Sequence, residues 1–208
     1  MIFITALYWF VLALLFALLE IENEGKYGWA EKSQTWYRTK NHYPKLIARF
    51  IGEKPLTGYH IFVFLVAFAI SHAHFFMGVE WSLTNELIAL SIYFAWTPLW
   101  DYLWFIFNPN YESKKFKRST VWWYSKSIWF FDLMPLGHVI QWFLSIFLSF
   151  MTYLITSQIS VFYSHLLFTI YLTILTVFAY IFISPIYKKW YKNMRKYDDR
   201  DKANIFHV

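Results

Sequence analysis

The 208-residue chain contains no cysteine, which excludes disulfides, thiolate metal sites and a cysteine nucleophile while leaving the compartment open. Charge is scarce as well. Only 15% of residues are charged, against 58% hydrophobic and 25% aromatic. A chain of that balance cannot hide its apolar surface in one soluble core and still show water a polar exterior. Lipid is the expected solvent for much of it. There is no phosphate-cradling glycine loop, zincin helix motif or nucleophile elbow. No internal repeat is visible, so an inverted-repeat transporter fold has little support.

Lysine and arginine are missing from long stretches. All 19 fall within residues 26–54, 114–126 and 188–202. Basic residues are retained in cytoplasmic loops, so the bias gives an orientation. The net charge of +6 lies beside hydrophobic segments, where attraction to anionic lipid headgroups accounts for it without nucleic acid.

A membrane span needs about 20 apolar residues for a hydrocarbon core about 30 Å thick. Five stretches qualify, at about 1–20, 56–78, 86–107, 136–156 and 161–185. The first lacks a basic n-region and a small-residue cleavage site, so it reads as a retained helix rather than a removed signal. Pro98 should kink the third span or free one of its carbonyls. Asn108, Pro109 and Asn110 mark a turn after that span. Residues 119–134 hold Trp122, Trp123 and Trp129 with Lys126 and Asp132. That mixture predicts an interfacial or re-entrant helix.

The expected fold is an all-α integral membrane bundle forming a single transmembrane domain, with its N-terminus outside and its C-terminus inside. Every loop agrees with that orientation. Basic loops 25–55 and 108–127 and the tail 186–208 face the cytoplasm, in a plasma-type membrane. Ala13 with Ala17, and Ala69 with Ala73, give small-residue spacings that can seat helix contacts.

Ionisable residues inside spans are costly and mark sites by default. Glu20 and Glu24 end the first span on one helical face, whereas Glu22 points elsewhere. His60 lies about a turn inside the second span, and Asp101 about two turns inside the third. Asp132 and His138 bracket the entry to the fourth. Carboxylates and imidazoles from several elements thus reach a similar depth without matching cations. Such an excess must be protonated, hydrated or neutralised by a metal. The expectation is a divalent zinc or iron on Glu20, Glu24, His60, Asp101 and His138, with Asp132 as catalytic acid or base, acting on a lipid or other hydrophobic substrate. In the plainer reading Glu20 and Glu24 are solvated and Asp101 pairs with a loop cation.

Two alternatives differ in class. His60 and His74, 14 residues apart on one helix, could face His138 and His165 as axial ligands of two b-type haems. The spans, however, lack the small residues a macrocycle needs. Alternatively, the chain is a non-enzymatic subunit of a larger complex, with partner proteins on its loops. His72, His74, Glu80, Glu86 and His165 form a second polar set near the outer face, read as interfacial.

Overall fold

The computed structural model describes residues 1–39, 54–111 and 115–198; the basic residues expected in cytoplasmic segments at 40–53, 112–114 and 199–208 lie outside the described residues. A helix lies within each of the five stretches read as spans. Helix α1, Ile2–Glu24, buries Ala6, Trp9, Phe10, Ala13, Ala17, Glu20, Ile21 and Glu24, a single stripe at helical spacing. The alanines let helix α4, Leu83–Phe107, press its large rings onto α1. Trp9 and Phe16 meet Trp96 with ring centroids 5.4 and 5.2 Å apart, and Phe16 meets Trp100 at 5.2 Å.

Helix α2, Gly58–Ser71, starts on the Thr57 hydroxyl, which accepts the His60 N–H at 3.2 Å. It is shorter than the predicted second span, because the chain breaks at His72 before the four-residue α3, Ala73–Phe76. His72 leaves helical geometry (φ −101°, ψ 2°) and turns its ring nitrogen Nδ1 back to the Phe68 carbonyl at 2.7 Å.

Helix α5, Leu136–Thr156, ends at Ser157 in the left-handed region, and α6, Ile159–Phe178, follows at once. The fifth helix outruns its predicted end. A π-helical turn, Ala179–Ile183, leads straight into α7, Ser184–Lys196, where Pro185, lying inside the continuous rod, lacks the N–H that would bond back to the preceding turn. Helices α1, α4, α5 and α6 pack as a closed ring, with α2 against α4.

Among the described residues, three helical stretches are long and apolar enough to cross a membrane: α1, α5, and the continuous rod from α6 through α7. Their outward faces carry Ile4, Leu15, Leu19, Phe143, Phe147, Ile170 and Ile174.

The predicted interfacial helix at 119–134 is not a helix over its length. It is a short 3-10 turn, Trp122–Tyr124, followed by a hairpin of β3, Trp129–Phe130, against β4, Met134–Pro135. Trp123 stacks on Phe105 (5.9 Å) and Trp129 packs on Phe116 (5.3 Å), so tertiary contacts inside the protein override local helix formation. A second two-stranded ladder joins β1, Tyr37–Arg38, to β2, Leu56–Thr57.

Two sets of bonds position the site. Asn108, fully buried at the end of α4, donates to the Gly25 carbonyl at the end of α1 (2.7 Å) and accepts from the Asn110 N–H (2.9 Å). The two helix ends are held level. Along the α4–α5 seam, Trp142 donates to the Ala95 carbonyl (3.1 Å), Ser145 to the Ser91 carbonyl (2.7 Å) and Thr97 to Gln141 (3.0 Å). The polar ladder flanks Pro98 and fixes α5 against the proline-bearing helix.

Candidate functional site

Where the C-terminal ends of α1 and α4 meet the N-terminal ends of α2 and α5, the protein forms a half-open cavity of about 500 Å³. Glu20, Glu24, His60, Asp101 and His138 all line it. The sequence-predicted ligands therefore share one chamber, but the histidines sit in two carboxylate pairs on different walls.

The first wall is built from α1, α2 and the turn between them. Glu24 accepts the Ala30 N–H at 2.6 Å and lies 3.4 Å from His60 Nε2. His60 Nδ1 is 2.7 Å from the Thr57 hydroxyl, and its ring stacks on Trp29 with centroids 3.9 Å apart. Trp29 and Ala30 have φ values of 47° and 51°, a left-handed kink that brings the indole onto His60 and the amide onto Glu24. The Trp29 indole donates to the Pro55 carbonyl at 2.8 Å. That bond draws in the residue before it, Lys54.

The second wall joins α4, the 3-10 turn and α5. Tyr124 donates to Asp101 Oδ2 at 2.6 Å; His138 Nε2 stands 2.9 Å from the same oxygen and 3.0 Å from the Tyr124 hydroxyl. Three polar atoms thus lie within 3.0 Å of one another. One phenolic proton serves Asp101, so an unprotonated Nε2 would set lone pairs against the carboxylate. His138 must carry its proton on Nε2 and donate to Asp101. Burial, followed by the charge of Asp101, pushes the Tyr124 phenol well above its ordinary range.

Lys54 lies between the walls, its ammonium 3.5 Å from the Tyr124 ring centroid and 4.3 Å from that of Trp29. Burial pulls its pKa down to about 7, against the opposing pull of Asp101, Glu24 and Glu20. The sequence pattern showed no cation at this depth; Lys54 supplies one from a loop, and the charge imbalance that argued for a metal loses part of its premise. Among the described residues no group of three His, Asp or Glu side chains is placed to hold a metal ion. Each pair could still offer two donors to one. Trp104, 1% exposed and also on the cavity wall, keeps an indole N–H with no acceptor among the described residues.

Asp132 is not part of this chamber. It occupies the turn of the β3–β4 hairpin with φ 56°, exposed and absent from the cavity lining, so its predicted acid–base role lacks a structural footing. The six-residue spacing to His138 spans the hairpin return, which carries the two apart. The outer polar set separates as well. His72 Nε2 meets Glu86 at 3.1 Å, His74 rests on the Phe75 ring, and His165 Nε2 lies 2.8 Å from the Ser145 hydroxyl.

Sequence reasoning missed Lys54, Tyr124, Trp29 and Trp104. Only Lys54 carried a signal, as the last basic residue before the second span; the others are aromatics in a chain crowded with them.

The architecture is that of a helical protein with candidate membrane-spanning helices around a buried polar chamber. No protein-family model matches the chain, and no curated protein or solved structure matches it.

Proposed function

We propose that the chain is a five-span membrane enzyme, its basic segments cytoplasmic, that takes an amphiphilic substrate from the inner leaflet and transfers protons to and from it in this cavity. The observation that carries the reading is the Asp101–His138–Tyr124 cluster on the wall of a chamber that also exposes Phe64, Leu136 and Ile140. An alkyl chain would lie along the apolar residues and present its head to the cluster. Asp101 orients and stabilises the His138 imidazolium, His138 is the acid and base, and the Tyr124 phenol holds Asp101 in place by donating to it.

The test is binding and its blockade. Gly137 lines the cavity, and a Cβ built there meets nothing within 4 Å, so Gly137→Phe can narrow the chamber without a backbone collision and without adding an indole. Purified wild-type protein should quench its own tryptophan fluorescence on titration with dodecanol, and Gly137→Phe should lose at least about tenfold in affinity, about 1.4 kcal/mol. Equal binding by both would overturn the reading.

A divalent zinc or iron is the second reading, favoured by the gathering of Glu20, Glu24, His60, Asp101 and His138 around one chamber. Elemental analysis of wild type beside His60→Ala and Asp101→Ala decides it. Stoichiometric metal lost in both variants supports it, and metal retained in both removes it.

A further inference from the structure

We propose that Lys54 is the amine that captures the carbonyl carbon of an aldehyde- or ketone-bearing amphiphile in this cavity, forming an imine while the Asp101–His138–Tyr124 cluster handles the protons. The inference rests on the amphiphile reading and gives that substrate its chemical class. Of the described lysines, Lys26, Lys32, Lys115, Lys117, Lys189, Lys192 and Lys196 are exposed outside the cavity lining, Lys126 is exposed although it lines the cavity, and Lys188 lies outside the lining, against the Tyr111 carbonyl. Among them, Lys54 alone lies against the faces of two cavity aromatics beside an acid–base cluster.

Charge selects among ligand classes. An anionic head would meet Glu20, Glu24 and Asp101 in the same chamber, which repel it. A cationic head would want the aromatic faces of Tyr124 and Trp29, which the Lys54 ammonium already covers. A neutral carbonyl suffers neither penalty. With its pKa near 7, about half of Lys54 is the nucleophilic neutral amine at neutral pH, whereas an ordinary lysine is unprotonated to only about one part in a few thousand.

The step balances without redox change. The Nζ lone pair forms a C–N bond as the carbonyl π pair moves to oxygen, which takes a proton from His138. The nitrogen then loses a proton to the imidazole. The hydroxyl takes that proton and departs as water while C=N forms, and the iminium gives its remaining N–H proton back to His138. The net change is amine plus carbonyl to imine plus water.

The experiment uses full-length protein in detergent micelles, incubated at about pH 7 with dodecanal and cyanoborohydride, then read by intact mass and peptide mapping. A single dodecyl group on Lys54, formed at least about tenfold faster than on the average exposed lysine and lost in Lys54→Arg and Lys54→Met, is the expected result. An adduct spread over exposed lysines without preference for Lys54, or undiminished in Lys54→Arg, overturns the proposal. Wild type that binds dodecanol but is not trapped by dodecanal at Lys54 overturns the imine alone. Wild type that binds neither overturns the amphiphile reading with it.

Discussion

Asp101 stands beside Trp100 and three residues before Trp104, in a stretch of α4 where a carboxylate must be given donors. It receives them from Tyr124 and His138, and Tyr124→Phe separates the two contributions because the ring that covers Lys54 remains while the donor to Asp101 is lost. The variant should lose about 1 kcal/mol of stability, the cost of one hydrogen bond to a half-buried carboxylate that keeps His138 as a donor. Chemical denaturation read by circular dichroism would measure it, and a second substitution, Asp101→Asn, should cost less in the Tyr124→Phe background than in wild type. Lys54 offers a titration instead. Its folded pKa of about 7 lies below that of a free lysine, so between the two values the unfolded chain binds more protons than the native one and stability rises with pH. The destabilisation is complete below about pH 7 and fades as pH climbs toward about 10.4. Thermal unfolding of wild type should move upward from about pH 7.5 to about pH 9.5, and Lys54→Met should lack that increment. Identical slopes would show that Lys54 does not sit between the two cavity walls.

Among the elements, the turn after α1 does most to assemble the first wall, and its glycines differ in a way that can be measured. Gly25 (φ 58°) has open space where a Cβ would stand, whereas Gly28 (φ 70°) would place one 2.2 Å from the Trp123 ring. Gly25→Ala should cost at least about 1–2 kcal/mol for backbone strain alone, because φ 58° with ψ −124° is harder for alanine than the left-handed helical region. Gly28→Ala should cost more and move Trp123, visible as a change in thermal midpoint together with near-ultraviolet circular dichroism. The long helices were legible because their apolar runs and turn residues are local signals, and the shared face of Glu20 and Glu24 followed from helical period alone; both are buried while Glu22 is exposed. The hairpin at 129–135 was not legible. Its two-residue strands are too short to show alternation, and its aromatics owe their places to Phe105 and Phe116 on other elements. Lys54 escaped for the same reason, since the Trp29–Pro55 bond that draws it inward joins residues 26 apart in sequence.

At the scale of the whole molecule, the cavity itself bears on topology. It gathers the C-terminal ends of α1 and α4 with the N-terminal ends of α2 and α5, so α2 runs back from the end of α1 and α5 runs back from the end of α4. That alternation is what a serpentine of five spans requires, and it puts the basic residues flanking these ends on the cavity side. Helix α2 is the weak point of the count: 14 residues rise only about 21 Å, less than a hydrocarbon core about 30 Å thick. The absence of cysteine makes the test clean, because any thiol introduced is the sole thiol in the chain. Single-cysteine variants Glu80→Cys and Gln158→Cys, in the connections after α3 and after α5, should react with a membrane-impermeant maleimide on intact cells. Lys32→Cys and Lys192→Cys should react only after the membrane is opened. If Lys32→Cys reacts on intact cells together with Glu80→Cys and Gln158→Cys, α2 and α3 do not carry the chain across, α2 is a re-entrant or interfacial helix, and the basic turn before it no longer lies on the side that the charge bias assigns.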